Sequence, residues 1–257
     1  MLSTTTRSFA LAGALATGLL LPSSAFGLEK TFSQTYPLKS GGVFAIDNIN
    51  GDVTIESWDR NEVSVEAITT ARTQEGLDRI EIRVKANEDR VSIDTHYEEK
   101  GRGWSWNNDG GDVDYTVKVP RNAELRDIEL INGALRITAF PGRVSASTVN
   151  GKIEISGLTG DLELESVNGK VEASFEQLGG SQRVEIESVN GVIELRVPKS
   201  ADFEVDASTV HGRISNDFGL EVDHGEFVGH DLRGRVGSGG ARVNLENVNG
   251  AIKIIAD

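Results

Sequence analysis

Cysteine is absent from the 257 residues. That excludes disulfides, thiolate metal centres and a cysteine nucleophile. Methionine occurs once, tryptophan three times and proline five times. Basic residues are outnumbered, with 26 Lys plus Arg against 40 Asp plus Glu and a formal charge of −14. Such a balance argues against nucleic acid as a partner, because phosphate neutralisation needs clustered Lys and Arg. No stretch carries the apolar period of a long amphipathic helix. What the chain has in quantity is glycine, 29 residues, together with alternating apolar and polar positions. Its length is ample for a sizeable buried core.

Residues 1–27 read as a secretory signal peptide. Arg7 is their only charge, residues 9–21 are an uncharged run, and Pro22 breaks that run before Ala25 and Gly27. Cleavage after Ala25 and cleavage after Gly27 both leave small residues at the site. The run is short for a bilayer span, and no later stretch approaches ~18 apolar residues. An exported, cysteine-free, acidic chain fits the bacterial periplasm or the cell exterior.

One phrase then recurs: an aliphatic residue, Asn or His, and Gly. It stands at Ile49-Asn50-Gly51, Ile131-Asn132-Gly133, Val149-Asn150-Gly151, Val167-Asn168-Gly169, Val189-Asn190-Gly191, Val210-His211-Gly212 and Val248-Asn249-Gly250. Gly133, Gly151 and Gly169 recur at a constant interval, with Gly142 and Gly160 halfway between. In each half-interval the apolar side chains hold fixed offsets of +2, +4 and +7 from the glycine. Gly133 is followed by Leu135, Ile137 and Phe140; Gly142 by Val144, Ala146 and Val149; Gly151 by Ile153, Ile155 and Leu158; Gly160 by Leu162, Leu164 and Val167. The +2/+4 pair is strand alternation. Lys152, Glu154, Asp161, Glu163 and Glu165 occupy the outward positions, and Asn-Gly supplies the positive φ of a turn. The side chain at each +7 is expected to face inward together with those at +2 and +4.

A period of this kind marks a repeat architecture. The expected fold is all-β, a β-solenoid of about 18-residue coils with two short strands per coil, each coil stacking on the one before. An antiparallel meander or sandwich is the alternative, since Asn-Gly between alternating strands is also a hairpin signal. The solenoid is preferred because a single sheet needs a cover for its apolar face, and the sequence offers no helix to supply it. Residues 28–120 read as a β-rich lead-in, with strands over 52–57, 63–69, 80–85, 91–96 and 113–119, one helical turn over 73–78 and a loop over 98–111. Residues 121–257 are the repeat part, continuous with the lead-in.

Four stretches carry a resemblance. They are Asp47-Asn48-Ile49-Asn50-Gly51-Asp52-Val53-Thr54-Ile55 with Trp58-Asp59; Val119-Pro120-Arg121-Asn122-Ala123-Glu124-Leu125; residues 191–198 leading to Ala207-Ser208-Thr209-Val210-His211-Gly212; and Gly239-Gly240-Ala241-Arg242-Val243 before Asn249-Gly250. Over about residues 31–255 the chain resembles a bacterial family of unknown function labelled "putative adhesin". The resemblance implies an exported β-solenoid.

Three groups of residues invite a chemical reading. Asp109, Asp112 and Asp114 flank a glycine pair and could offer oxygens to a hard cation, although the spacing is not that of an EF-hand. His224, Glu226, His230 and Asp231 could hold a transition metal, but their spacing matches no standard site, and a polar loop accounts for them. Trp58, Trp104 and Trp106 could stack on sugar rings, or anchor loops and core. His211 replaces Asn in the turn phrase and needs no further role. No catalytic, metal or cofactor site is assigned, and the chain is expected not to be an enzyme. The expected role is a structural or interaction module of the bacterial cell envelope, with a protein or glycan partner. A carbohydrate-active β-helix enzyme and an envelope-stress sensing or regulatory accessory protein are the alternatives.

Overall fold

A computed structural model describes residues 27–98, 111–224 and 229–257. The expected signal peptide lies outside them except for Gly27. The chain opens with β1 (Leu28–Pro37), β2 (Val43–Asn50), β3 (Val53–Trp58) and β4 (Glu62–Ala71). A single helical turn, α1 (Gln74–Asp78), follows; Thr73 caps it by accepting a hydrogen bond from the Gly76 amide at 3.0 Å. Next come β5 (Ile80–Ala86), β6 (Arg90–Tyr97) and β7 (Asp112–Pro120). The repeat part contains β8 (Glu124–Asn132), β9 (Leu135–Thr138), β10 (Val144–Asn150), β11 (Ile153–Leu158), β12 (Leu162–Asn168), β13 (Val171–Phe175), β14 (Arg183–Asn190) and β15 (Ile193–Val197). It ends with β16 (Phe203–His211), β17 (Ile214–Asn216), β18 (Asp223–His224), β19 (His230–Val236), β20 (Ala241–Asn249) and β21 (Ile252–Ala256).

These strands form two sheets. Sheet A runs β1-β4-β7-β3-β9-β11-β13-β15-β21-β17, and sheet B runs β18-β19-β16-β20-β14-β12-β10-β8-β2-β6-β5. Each coil contributes one strand to each sheet, and coil-to-coil pairing is parallel and in register apart from bulges in β8 and β11. Val144 lies beside Leu162 and Leu162 beside Val184 in sheet B, while Ile153 lies beside Leu135 and Val171 in sheet A. The inward residues of both sheets meet in one apolar core that includes Leu135, Ile153, Leu162 and Val171, each at most 2 % exposed. The fold is an all-β solenoid with long parallel sheets, as the period of the turn phrases implies.

Two features depart from simple stacking. The coil β2/β3 sits between β6/β7 and β8/β9, and the last coil, β20/β21, inserts between β14/β15 and β16/β17. The expectation that each coil stacks on the previous one therefore fails at both ends. The turn phrases Val210-His211-Gly212 and Val248-Asn249-Gly250 suit the same slot, so local sequence does not encode their order. Antiparallel strands cover the ends of the stack: β1 and β4 on sheet A, β5 on sheet B at the first end, and β19 with β18 on sheet B at the other. Phe218 closes the coil β16/β17 by packing edge-on against Phe203 at 5.3 Å. Covering the ends matters because an open parallel edge is both a loss of hydrogen bonds and a template for aggregation.

The turn glycines are required by a close approach of backbones. A Cβ on Gly151 would sit 1.9 Å from the Gly133 carbonyl oxygen, and one on Gly169 would sit 1.8 Å from that of Gly151. Gly212 stacks in the same way on Gly250, following the spatial order of coils and not the chain order. Positive φ is present at Gly169 (146°) but is not the reason at Gly151, which corrects the turn reading made from Asn-Gly alone.

Candidate functional site

Side chains at the +7 offset divide into two classes. Phe140 and Leu158 are fully buried, whereas Val149 and Val167 are 39 % and 40 % exposed. The inward facing expected for Val149 and Val167 is wrong, and the reason is parity. In β10 and β12 the strand continues unbroken past +4, so +6 is inward and +7 must point out. In the other half of the coil the strand meets a corner, at Ala139 (φ 51°) and Gly157 (φ 76°), which resets the alternation and turns +7 inward. Thr148, Ser166, Ser188, Asn247 and Thr209 take the inward +6 position in sheet B. Two of them tie down the turns: Thr209 Oγ1 donates to the Gly250 carbonyl at 3.0 Å and Asn247 Nδ2 to that of Gly191 at 2.9 Å.

The outer face of sheet B consequently carries three straight rows that run across the strands. The first is aliphatic: Ile131, Val149, Val167, Val189, Val248 and Val210, on neighbouring strands and 39–46 % exposed. Beside it, two residues earlier on each strand, stands a row of Asp47, Glu129, Ser147, Glu165, Glu187, Glu246 and Ser208. On the other side lies an amide ladder. Asn132 Nδ2 donates to Asn50 Oδ1 at 2.9 Å, and Asn150, Asn168, Asn190 and Asn249 each continue it at 2.9–3.0 Å. His211 stands beside Asn249 on the next strand. Five of the valines and the Glu165, Glu187 and Glu246 carboxylates line a shallow groove of about 410 Å³.

The electrostatics of the two sheet faces differ. On sheet A, Lys152 bridges Glu154 at 3.2 Å and also pairs with Glu172, Lys170 pairs with Glu172 and with Glu194 at 3.0 Å, and Arg196 reaches Glu194 and, at 3.4 Å, Asp257. Hydrogen bonds from Lys152 and Lys170 hold the Glu172 carboxyl below its usual value. Burial works against ionisation of Glu194, but Lys170 and Arg196 outweigh it and lower its pKa too. On sheet B, among the described residues, Glu129, Glu165, Glu187 and Glu246 have no Lys or Arg at ion-pair distance. Burial, and then the neighbouring Glu246, Glu165, Glu185 and Glu163, push the Glu187 carboxyl above its usual value. Asp47 is raised likewise, by burial and by Asp94 beside it. Around β11, β13 and β15 sheet A thus neutralises its own face, while sheet B keeps a run of like charges next to an apolar strip.

A second concavity of about 700 Å³ lies nearer the last coil on sheet B. Its charges are partly self-paired, Arg233 with Asp206 at 2.9 Å and Arg235 with Glu204 at 3.5 Å.

Among the described residues, those singled out in the sequence do not form a grouped metal site. Asp112 and Asp114 lie on β7, where Asp114 Oδ1 accepts from the Asp52 amide at 2.8 Å; Asp109 lies outside the described residues. His224 and His230 are register partners of β18 and β19, as are Asp223 and Asp231. This stretch is a strand pair, which corrects the expected polar loop; Glu226 is outside the described residues. Among the described residues no three His, Asp or Glu are grouped as a metal site. Trp58 anchors its turn, donating from Nε1 to the Glu62 carbonyl at 2.7 Å beneath the Arg60 guanidinium. Trp104 and Trp106 lie outside the described residues. Among the described residues no helix is long and apolar enough to cross a membrane.

Residues 139–255 match the Toastrack family of unknown function, DUF4097. No curated protein matches the chain in sequence. Among solved structures, a "putative cell adhesion protein" from Clostridium sporogenes is similar in fold, at a TM-score of 0.50 and 16 % identity, over 89 % of this chain and 100 % of that one. A "putative adhesin" from Bacteroides fragilis is similar over 88 % of this chain and 97 % of its own, at 14 % identity and a TM-score of 0.39. A "putative lipid binding protein" from Parabacteroides distasonis is similar over 88 % and 96 %, at 11 % identity and a TM-score of 0.35.

Proposed function

We propose that this chain is an exported, non-catalytic interaction module of the bacterial cell envelope, adhesin-like in kind, and that it engages its partner through the outer face of sheet B. The observation that carries this reading is the unpartnered aliphatic row from Ile131 to Val210. A contiguous exposed apolar strip rimmed by polar residues is the usual mark of an interaction site. The mechanism is passive. Parallel, in-register coils form a stiff rod that holds the three rows straight, so a partner meets a surface that is already ordered and costs little entropy to engage. The match of residues 139–255 to the Toastrack family and the adhesion label of the Clostridium sporogenes protein support the reading.

The test uses a photo-crosslinking residue placed in intact cells at Val189, on the aliphatic row, and separately at Thr116, on the outer face of sheet A. The expected result is a discrete covalent adduct in the envelope fraction from position 189 and none from position 116. Equal adducts from both positions, or none from position 189, would overturn the assignment of the face.

A further inference from the structure

The two rows on sheet B also specify what can sit on them. We propose that this face binds a cationic amphipathic helix, whose basic stripe runs along Glu165, Glu187 and Glu246 and whose apolar stripe lies on Val167, Val189 and Val248. The proposal rests on the assignment of sheet B as the interaction face and adds the chemistry of the partner.

Charge complementarity sets the sign. The carboxylates of Glu165, Glu187 and Glu246 stand on three neighbouring strands with no cation opposite among the described residues, and burial together with the neighbouring like charges raises the Glu187 pKa. A basic partner relieves that repulsion, while a second copy of this face would bring two acidic rows together. Complementary potential of this kind steers encounter and selects the partner.

Spacing sets the conformation. Neighbouring strands repeat at about 4.7–4.9 Å, so the carboxylates and valines do too. A helix returns a stripe residue roughly every 5.4 Å. Over the two gaps among three carboxylates the mismatch is only about 1 Å, within the reach of a flexible Lys or Arg. An extended peptide repeats same-side residues every ~6.6–6.8 Å and falls about 4 Å out of step over the same distance. The acidic and aliphatic rows are two residues apart along each strand, ~6.6 Å, a separation that two stripes on a helix can straddle.

The probe is a synthetic helix of Lys and Leu, about four turns long, with the two residue types on adjoining flanks, and its counterpart with Glu in place of Lys. Binding to the purified chain is read by fluorescence anisotropy. The Lys peptide is expected to bind, with affinity falling as salt rises, and the Glu peptide is expected not to. The triple substitution Glu165→Gln, Glu187→Gln, Glu246→Gln should weaken binding about tenfold or more, and so should the double substitution Val167→Ser, Val189→Ser. A triple substitution of equal charge on sheet A, Glu29→Gln, Glu56→Gln, Glu66→Gln, should change it less than about twofold. All three sets are outward positions, and a urea midpoint confirms that each variant is folded.

Equal weakening by the sheet A substitutions would reduce the effect to net charge and overturn the proposal, as would failure of the Lys peptide to bind. Self-association of the chain that Val189→Ser abolishes would give the face to a second copy and also overturn it. If the peptide fails while the position 189 crosslink persists, the face stands and the partner chemistry is wrong. If both fail, the face itself is wrong.

Discussion

Replacing Gly169 by Ala tests the stacking of coils at one of the close backbone contacts between turns. The new Cβ would lie 1.8 Å from the Gly151 carbonyl oxygen, and real Cβ atoms essentially never come within 3.0 Å of such a neighbour. The oxygen belongs to backbone and cannot swing aside, so the seam between the two coils must open until 1.8 Å becomes at least 3.0 Å. Three hydrogen bonds cross that seam near the turn: Gly151 N–H to the Asn168 carbonyl at 3.0 Å, Ile153 N–H to that of Lys170 at 2.9 Å, and Asn168 Nδ2 to Asn150 Oδ1 at 3.0 Å. Losing two or three of them costs about 2–3 kcal/mol. Forcing Ala to a φ of 146° costs a further ~1–2 kcal/mol. The sum, about 3–5 kcal/mol, is a large part of the ~5–15 kcal/mol that holds a typical domain together. The assay is urea unfolding, with Gly180→Ala as reference. Gly180 also has positive φ (65°), but nothing lies within 4 Å of its Cβ position. Only the backbone cost of about 1–2 kcal/mol applies there. The Gly169→Ala midpoint should fall about 1–2 M in urea below wild type, and well below that of Gly180→Ala. Equal midpoints for the two variants would refute the contact that is said to dictate glycine.

Ile155→Asp, which buries a carboxylate at a core position closed to solvent, should prevent cooperative folding; a circular dichroism melt like that of wild type would contradict the facing. Glu194→Ala leaves Lys170 and Arg196 without their shared acceptor and should cost about 1.5–3 kcal/mol. The folded-state pKa of Glu194 is lowered, so its contribution is present above the ordinary carboxylate range and is lost as pH falls through the lowered value; urea midpoints of wild type and variant should converge in acid. Glu187 has the opposite sign. Its pKa is raised, so its ionised form opposes folding above that value and the penalty lifts as pH falls. Glu187→Gln should keep or raise the midpoint at neutral pH, and a lowered midpoint would contradict the like-charge row.

The period of the coils and the inward +2/+4 positions were legible because one strand face must be dry, and every coil repeats that demand. Leu135, Ile153, Leu162 and Val171 share an interior for this reason. The corners were not legible. Nothing in Ala139 or Gly157 alone signals that the alternation resets there, whereas β10 and β12 run straight on. Treating the two halves of a coil as equivalent put Val149 and Val167 inside and hid the aliphatic row. The order of coils was hidden as well, because seven near-identical turn phrases fit any slot, and the choice is made by long-range contacts such as the stacking of Gly212 on Gly250. The acidic residues of sheets A and B look alike in the sequence. Register sets Glu172 beside Glu194 just as it sets Glu187 between Glu165 and Glu246; the difference is that Lys170 and Arg196, two residues away along the sheet A strands, pair with the first two, while no Lys or Arg pairs with the other three among the described residues.

The chain has no native cysteine, so single cysteines report side-chain facing without background. Ser188→Cys and Val189→Cys are neighbours on β14, the first 4 % and the second 40 % exposed in the native residue. With a maleimide under native conditions, Val189→Cys should label at the rate of a free thiol, and Ser188→Cys should label only once urea unfolds the chain. The reverse pattern would place the valine row in the interior and remove the surface on which the proposed function stands.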